Sequence, residues 1–140
     1  SNQFKKDEFK QNVNLYNGSW VDNKISDEKI KDFYYKADLT IIPLIDTLQP
    51  SGQSVALQSI ACGTPVLITK TSGFWDPSKF ENKNNIIFCE KNDADYWLGE
   101  IESVCGDKKL METLRENGIK TVESNYSLKN FYNNLKIHLK

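Results

Sequence analysis

The chain offers little for acid–base, nucleophilic or metal chemistry. Its single histidine, His138, lies among lysines near the carboxyl end, where a helix-edge position explains it better than a catalytic one. Cys62, Cys89 and Cys105 are odd in number, widely spaced and set in apolar or mixed surroundings, which reads as reduced thiols without metal or disulfide spacing. No acidic pair stands at ligand spacing, so nothing calls for a metal. Arg115 is the only arginine, and phosphate recognition here falls to lysines or to the backbone. The stretch over residues 50–69, PSGQSVALQSIACGTPVLIT, suits the backbone for that task. Pro50, Ser51 and Gly52 form a tight turn into a helix that starts near Gln53, with Ser51 or Ser54 available as N-cap. Val55, Leu57, Ile60 and Ala61 make it a short, mostly buried helix, and Gly63 followed by Thr64-Pro65 stops it.

Strands must position that turn. Residues 39–44, LTIIPL, precede it and Val66-Leu67-Ile68 follow it, both as buried β-branched runs, so the unit is a right-handed βαβ crossover. The loop after the first strand then faces a ligand crevice, and the helix start aims unpaired N–H groups into it. Either an anion is held there or the turn simply needs Gly52.

The other elements follow in order. Residues 3–11 read as a charged helical segment, and Val13-Asn14-Leu15-Tyr16 as a short strand ending in the turn Asn17-Gly18-Ser19-Trp20. Ser26 caps a helix with Asp27 and Glu28 in its first turn and Ile30, Phe33, Tyr34 and Ala37 facing inward. Residues 70–77 form a polar loop beyond a strand, where Trp75 and Asp76 either face a ligand or are pinned by aromatic burial. Ile86-Ile87-Phe88-Cys89 is the last strand. Asn92 or Asp93 caps a helix to about Val104 that turns Trp97, Leu98 and Ile101 inward. A second runs from Asp107 to about Asn125 on Leu110, Met111, Leu114 and Val122, and Ser127 opens a last one through Phe131, Leu135 and Leu139.

The whole is an α/β, Rossmann-like three-layer domain with a mostly parallel sheet, residues 1–140 forming a single domain or a large fragment of one. A chain of this length buries roughly 68% of its unfolded surface, which is enough for one core. A net charge of −1 leaves no basic footprint for a nucleic-acid partner. No apolar run approaches the ~20 residues that span a bilayer, so the expectation is a cytoplasmic protein whose membrane contacts, peripheral ones included, come from outside this chain.

Residues 37–69, with their apolar strand, Pro-Ser-Gly loop and Ala61-Cys62-Gly63-Thr64-Pro65-Val66 helix end, resemble the carboxyl-terminal domain of GT-B glycosyltransferases, specifically family 4, or group 1. The Gly73 loop, the Asn17-Gly18 turn, the Ser26-Asp27-Glu28 helix start and the Tyr126-Ser127 helix start extend the similarity over nearly the whole chain. The resemblance implies transfer of a sugar, hexosyl by type, from a nucleotide diphosphate sugar to an acceptor with retention of configuration. It implies no covalently bound cofactor. The donor diphosphate would lie on the amides of Gly52, Gln53, Ser54 and Val55.

The family usually carries two glutamates eight residues apart around this helix start, the second on the ribose hydroxyls. Pro50 and Gln58 stand there instead. Gln58 still hydrogen-bonds a diol, without the charge that strengthens such bonds. Asp46 and Gln53 are the nearest substitutes for a donor-sugar contact, Gln53 the better placed of the two. Gly18 and Trp20 fall where the base-side loop lies. The two strand-helix units that begin such a domain, and the acceptor-binding amino-terminal domain, are expected outside this chain, which leaves it inactive alone. The competing reading is a non-catalytic Rossmann-like interaction domain. A receiver domain lacks its acidic cluster, and a nucleotide hydrolase lacks its Gly-rich loop ending in Lys-Ser or Lys-Thr.

Overall fold

The computed structural model describes residues 12–14, 16 and 25–138. Their elements run α1 (Asp27–Lys36), β1 (Thr40–Ile42), α2 (Gln53–Ala61), β2 (Val66–Thr69), β3 (Ile87–Cys89), α3 (Ala94–Gly106), α4 (Lys108–Asn125) and α5 (Leu128–His138). The three strands form one parallel sheet in the order β1-β2-β3, with Ile41 opposite Leu67 and Leu67 opposite Ile87. Parallel neighbours cannot be joined by a hairpin, so α2 must cross from β1 to β2 and α2's amino end must lie at the strands' carboxyl edge.

Alternation along the strands feeds two cores. Val66, Ile68 and Ile86 join Ile42, Ala56, Ile60 and Phe80 on one face. Leu67, Ile87 and Cys89 join Trp97, Val104 and Leu114 on the other. Every residue of β2 is therefore buried, as a central parallel strand with both faces covered requires. The expected three-layer α/β arrangement is what the chain adopts.

Several local expectations are corrected. Residues 13, 14 and 16 carry no strand, and Val13 and Tyr16 are exposed. Tyr16 instead packs its ring 4.9 Å from that of Phe33, which leaves Phe33 on the surface of α1 and not facing inward. In α2 the buried face is Ala56, Ser59 and Ile60, while Val55 and Ala61 face outward. Small side chains at i and i+3 let the helix lie close on the sheet: Ser59 Oγ reaches Thr40 Oγ1 at 2.8 Å and the Thr64 carbonyl at 3.1 Å. Leu98 on α3 is exposed, and so are Phe131 and Leu135 on α5, which buries no residue. Leu139 and residues 3–11 lie outside the described residues, as do Gly18 and Trp20.

The helix ends behave as their residues dictate. Ser26, Asp93 and Asp107 cap α1, α3 and α4. Gly63, at φ 81, closes α2 with its N–H on Ile60 and the next N–H, of Thr64, on Ser59, the two bonds that a left-handed glycine makes possible. Among the described residues, no helix is long and apolar enough to cross a membrane.

Candidate functional site

The carboxyl edge of the sheet is built by two loops and one helix start. The loop after β1 runs through residues 43–52 and delivers the chain to α2. Its last residue, Gly52, takes φ 73, and a Cβ there would stand 3.0 Å from Ile42 Cγ2, 3.2 Å from Ile68 Cδ1 and 3.3 Å from Leu44 Cδ1. Both the backbone angle and the space demand glycine. This corrects the expected cap. Gly52 itself is the N-cap residue, and no side chain bonds the first turn of α2. The left-handed turn carries Ser51 away from the helix start, and its hydroxyl lies 3.5 Å from the Gln49 carbonyl. Ser54 falls one residue inside the helix and cannot act as its cap.

The first helical backbone donor with an internal partner is Ala56, whose N–H reaches the Gly52 carbonyl at 2.9 Å. The N–H groups of Gln53, Ser54 and Val55 precede that bond and belong to the unpaired set every helix start leaves. No acidic side chain occupies this first turn, so the partial positive charge of the helix end is not offset. Gln53, Ser54 and Val55 are all exposed. The arrangement places four of the expected site residues, Gly52, Gln53, Ser54 and Val55, together in one turn, with the backbone donors of an exposed helix start, which suit an anion.

Gln58 lies one turn further and faces another way. It lines a cleft of about 350 Å³ between α1 and α2, shared with Asp27, Ile30, Lys31, Tyr34, Ala61 and Cys62. Burial, with Cys62 nearby, pushes the Tyr34 phenol above its ordinary pKa and keeps it neutral.

The loop after β2 forms the opposite wall. Thr69 Oγ1 accepts the Leu44 N–H at 2.8 Å, the Gly73 N–H donates to the Thr47 carbonyl at 2.8 Å, and Ser72 donates twice to Asp46. Those bonds hold the Asp46 carboxyl below the usual carboxylate range. They also engage both its oxygens. Lys70 pairs with Glu90 at 3.4 Å across the exposed rim.

Trp75 and Asp76 hold the loop's far end in place. Trp75 packs on Phe74 at 4.0 Å and edge-on to Phe80. Tyr126 donates to Asp76 Oδ2 at 2.7 Å and Ser78 donates to Oδ1 at 2.8 Å. The Tyr126 bond is the main reason the Asp76 carboxyl sits low, while burial and that same carboxylate drive the Tyr126 phenol upward. Sequence reasoning missed Asn85. It is buried and ties Lys79, Glu81 and Thr121 together, though in the chain it is one polar residue of a turn. His138 is exposed in the last turn of α5. No group of three metal-ligating side chains gathers among the described residues.

Comparison with known proteins extends this description. The family model described as "Glycosyl transferases group 1" matches residues 2–121. An uncharacterized glycosyltransferase of Methanocaldococcus jannaschii is 28% identical over 106 residues, which cover 76% of this chain and 26% of that protein. Among solved structures, the C-terminal domain of a glycosyl transferase group 1 family protein (LpcC) of Francisella tularensis superposes with a TM-score of 0.61 at 21% identity, over 76% of this chain and 52% of that one. Anabaena HepE, solved in complex with UDP, gives a TM-score of 0.65 at 17% identity over 76% of this chain and 28% of that one. A Rickettsia africae glycosyltransferase gives 0.62 at 23% identity, over 79% and 29% respectively. The chain thus spans about a quarter of the curated relative and about half of the Francisella domain.

Proposed function

The chain belongs to the glycosyl transferases group 1 family, and from that premise we propose that it is the donor-binding part of a glycosyltransferase. Its residues form a single donor-binding domain or most of one. The donor is a nucleotide diphosphate sugar whose diphosphate sits on the Gln53, Ser54 and Val55 amides. One observation carries the reading: α2 starts at a left-handed glycine with no side-chain cap and no acidic residue in its first turn. The UDP complex of Anabaena HepE, which shares the fold, supports a nucleoside diphosphate as ligand.

The chemistry asked of these residues is positioning and charge stabilisation. As the bond from the sugar to the diphosphate breaks, negative charge grows on the departing oxygens. Fixed backbone dipoles meet that charge without having to reorganise. Gln58 would hydrogen-bond the ribose from the α1–α2 cleft, Gln53 would reach the donor sugar, and Gly18 and Trp20 would border the base. The acceptor, and the groups that act on it, belong to an amino-terminal domain outside this chain. The 140 residues are accordingly inactive alone. Transfer of a hexosyl group with retention of configuration is the reaction this part serves.

The test is equilibrium binding of UDP, GDP and ADP against their monophosphates. The diphosphate of the preferred base should bind about tenfold more tightly than its monophosphate, a difference of about 1.4 kcal/mol. Equal affinity for the two forms would remove the diphosphate from α2 and favour an interaction domain of the same fold.

A further inference from the structure

Resting on the donor reading above, we propose that Asp46 is a positioning residue whose carboxylate clips the loop after β2 to the loop after β1 and thereby fixes the mouth in front of α2. Both of its oxygens are engaged by one residue. Oδ1 accepts the Ser72 N–H at 2.7 Å and Oδ2 accepts the Ser72 hydroxyl at 3.1 Å. The contact does not stand alone. Leu44 is tied to Thr69, Asp46 to Ser72 and Thr47 to Gly73, so the two loops zip together residue by residue. At the last tie the backbones touch, because a Cβ on Gly73 would lie 2.3 Å from the Leu48 carbonyl oxygen.

The zip reaches the candidate anion site through one side chain. Leu44 Cδ1 lies 3.3 Å from where a Gly52 Cβ would be, so the segment that Thr69 and Asp46 hold is also the wall beside Gly52, the cap residue of α2. A shift of that wall moves the Gln53, Ser54 and Val55 amides. Asp46 is exposed, which rules out a role in filling the core. Its charge is also of the wrong sign to attract a diphosphate, and bonds from a backbone N–H and a hydroxyl are what offset it. The charge of Asp46 works against an anion site, whereas its two-pronged geometry serves the clip.

The two explanations separate on substitution. Asp46→Asn keeps the clip, since its amide oxygen accepts the Ser72 N–H and its NH₂ donates to Ser72 Oγ. Asp46→Ala removes both contacts. UDP, GDP and ADP titrations of wild type and both variants should show Ala about tenfold weaker for the preferred nucleotide and Asn within about twofold of wild type. In ligand-free spectra the Ser72, Gly73 and Gln53–Val55 amides should move in the Ala variant and stay close to wild type in the Asn variant. A structural loss alone would lower the melting temperature with no such split. Ala binding like wild type would overturn the proposal, as would Asn failing like Ala. Absence of nucleotide binding by the wild-type chain is a different result: it would remove the donor reading, and the positioning role would fall with it.

Discussion

Two kinds of helix start occur in this molecule. At α1, α3 and α4 a side chain closes the end, with Ser26 accepting the Lys29 N–H at 3.3 Å and Asp93 and Asp107 accepting those of Tyr96 and Leu110 at 3.0 Å. At α2 the closing residue is Gly52, and it has no side chain to offer. The first kind satisfies one of its open amides with a side chain and gains about 1 kcal/mol for each cap. The second forgoes that stabilisation and leaves three donors and an uncompensated helix dipole at the carboxyl edge of the sheet. With Ser127 Oγ accepting the Asn130 N–H of α5 at 3.3 Å, Ser or Asp closes four of the five described helix starts, and the start of α2, where the loops converge, is left open. This difference is the observation on which the proposed diphosphate site at α2 rests.

The largest effect should come from closing the open end by force. Gly52→Ala adds a Cβ at a left-handed angle and 3.0 Å from Ile42, so we expect a loss of about 2 kcal/mol in denaturant unfolding together with loss of nucleotide binding. A subtler break is Ser54→Glu, which puts a carboxylate in the first turn. It should lower diphosphate affinity about tenfold while raising stability by about 0.5 kcal/mol, an opposed pair of changes that packing damage would not produce. At the capped ends the pattern reverses: Asp93→Ala or Asp107→Ala should cost about 1 kcal/mol in thermal unfolding and leave nucleotide affinity unchanged.

The smallest effect concerns the loop's far anchor. The Asp76 carboxyl is held low chiefly by the Tyr126 hydroxyl, so its contribution to stability is present above the ordinary carboxylate pKa of about 4 and is lost as pH falls through its lowered folded value. Tyr126→Phe should therefore lower stability at neutral pH by about 1 kcal/mol, after allowance for solvent screening. It should also flatten the acid limb of a stability–pH profile, and an unaltered limb would remove the Asp76–Tyr126 bond from the loop's support.

Much of this was legible in the residues themselves. The β-branched runs gave the strands because a central parallel strand is buried on both faces, and Ser26, Asp93, Asp107 and Gly63 marked helix ends through local geometry alone. The failures share one cause: exposure depends on what lies opposite. Nothing in the spacing of Phe33 says that Tyr16 will meet it at the surface, and nothing in α5 reveals that its apolar residues stay uncovered among the described residues. At the site, Gly52 to Val55 could be read because one turn places them. Asp46 with Ser72, and Asp76 with Tyr126, could not, since those partners are 26 and 50 residues apart and only the folded loops join them. The cap at α2 was misread for a related reason. Both serines looked able to cap, and the left-handed angle at Gly52 turns one away while placing the other inside the helix.

The central claim is that the open start of α2 holds a diphosphate. The most direct test is an NMR titration of the ¹⁵N-labelled chain with UDP, GDP and ADP in turn, following the Gln53, Ser54 and Val55 amides beside those of Lys29, Tyr96 and Leu110. Saturable shifts confined to the α2 set, larger for one diphosphate than for the others, are the predicted result. No movement at those three amides at saturating nucleotide, or equal movement at the capped helix starts, would contradict it.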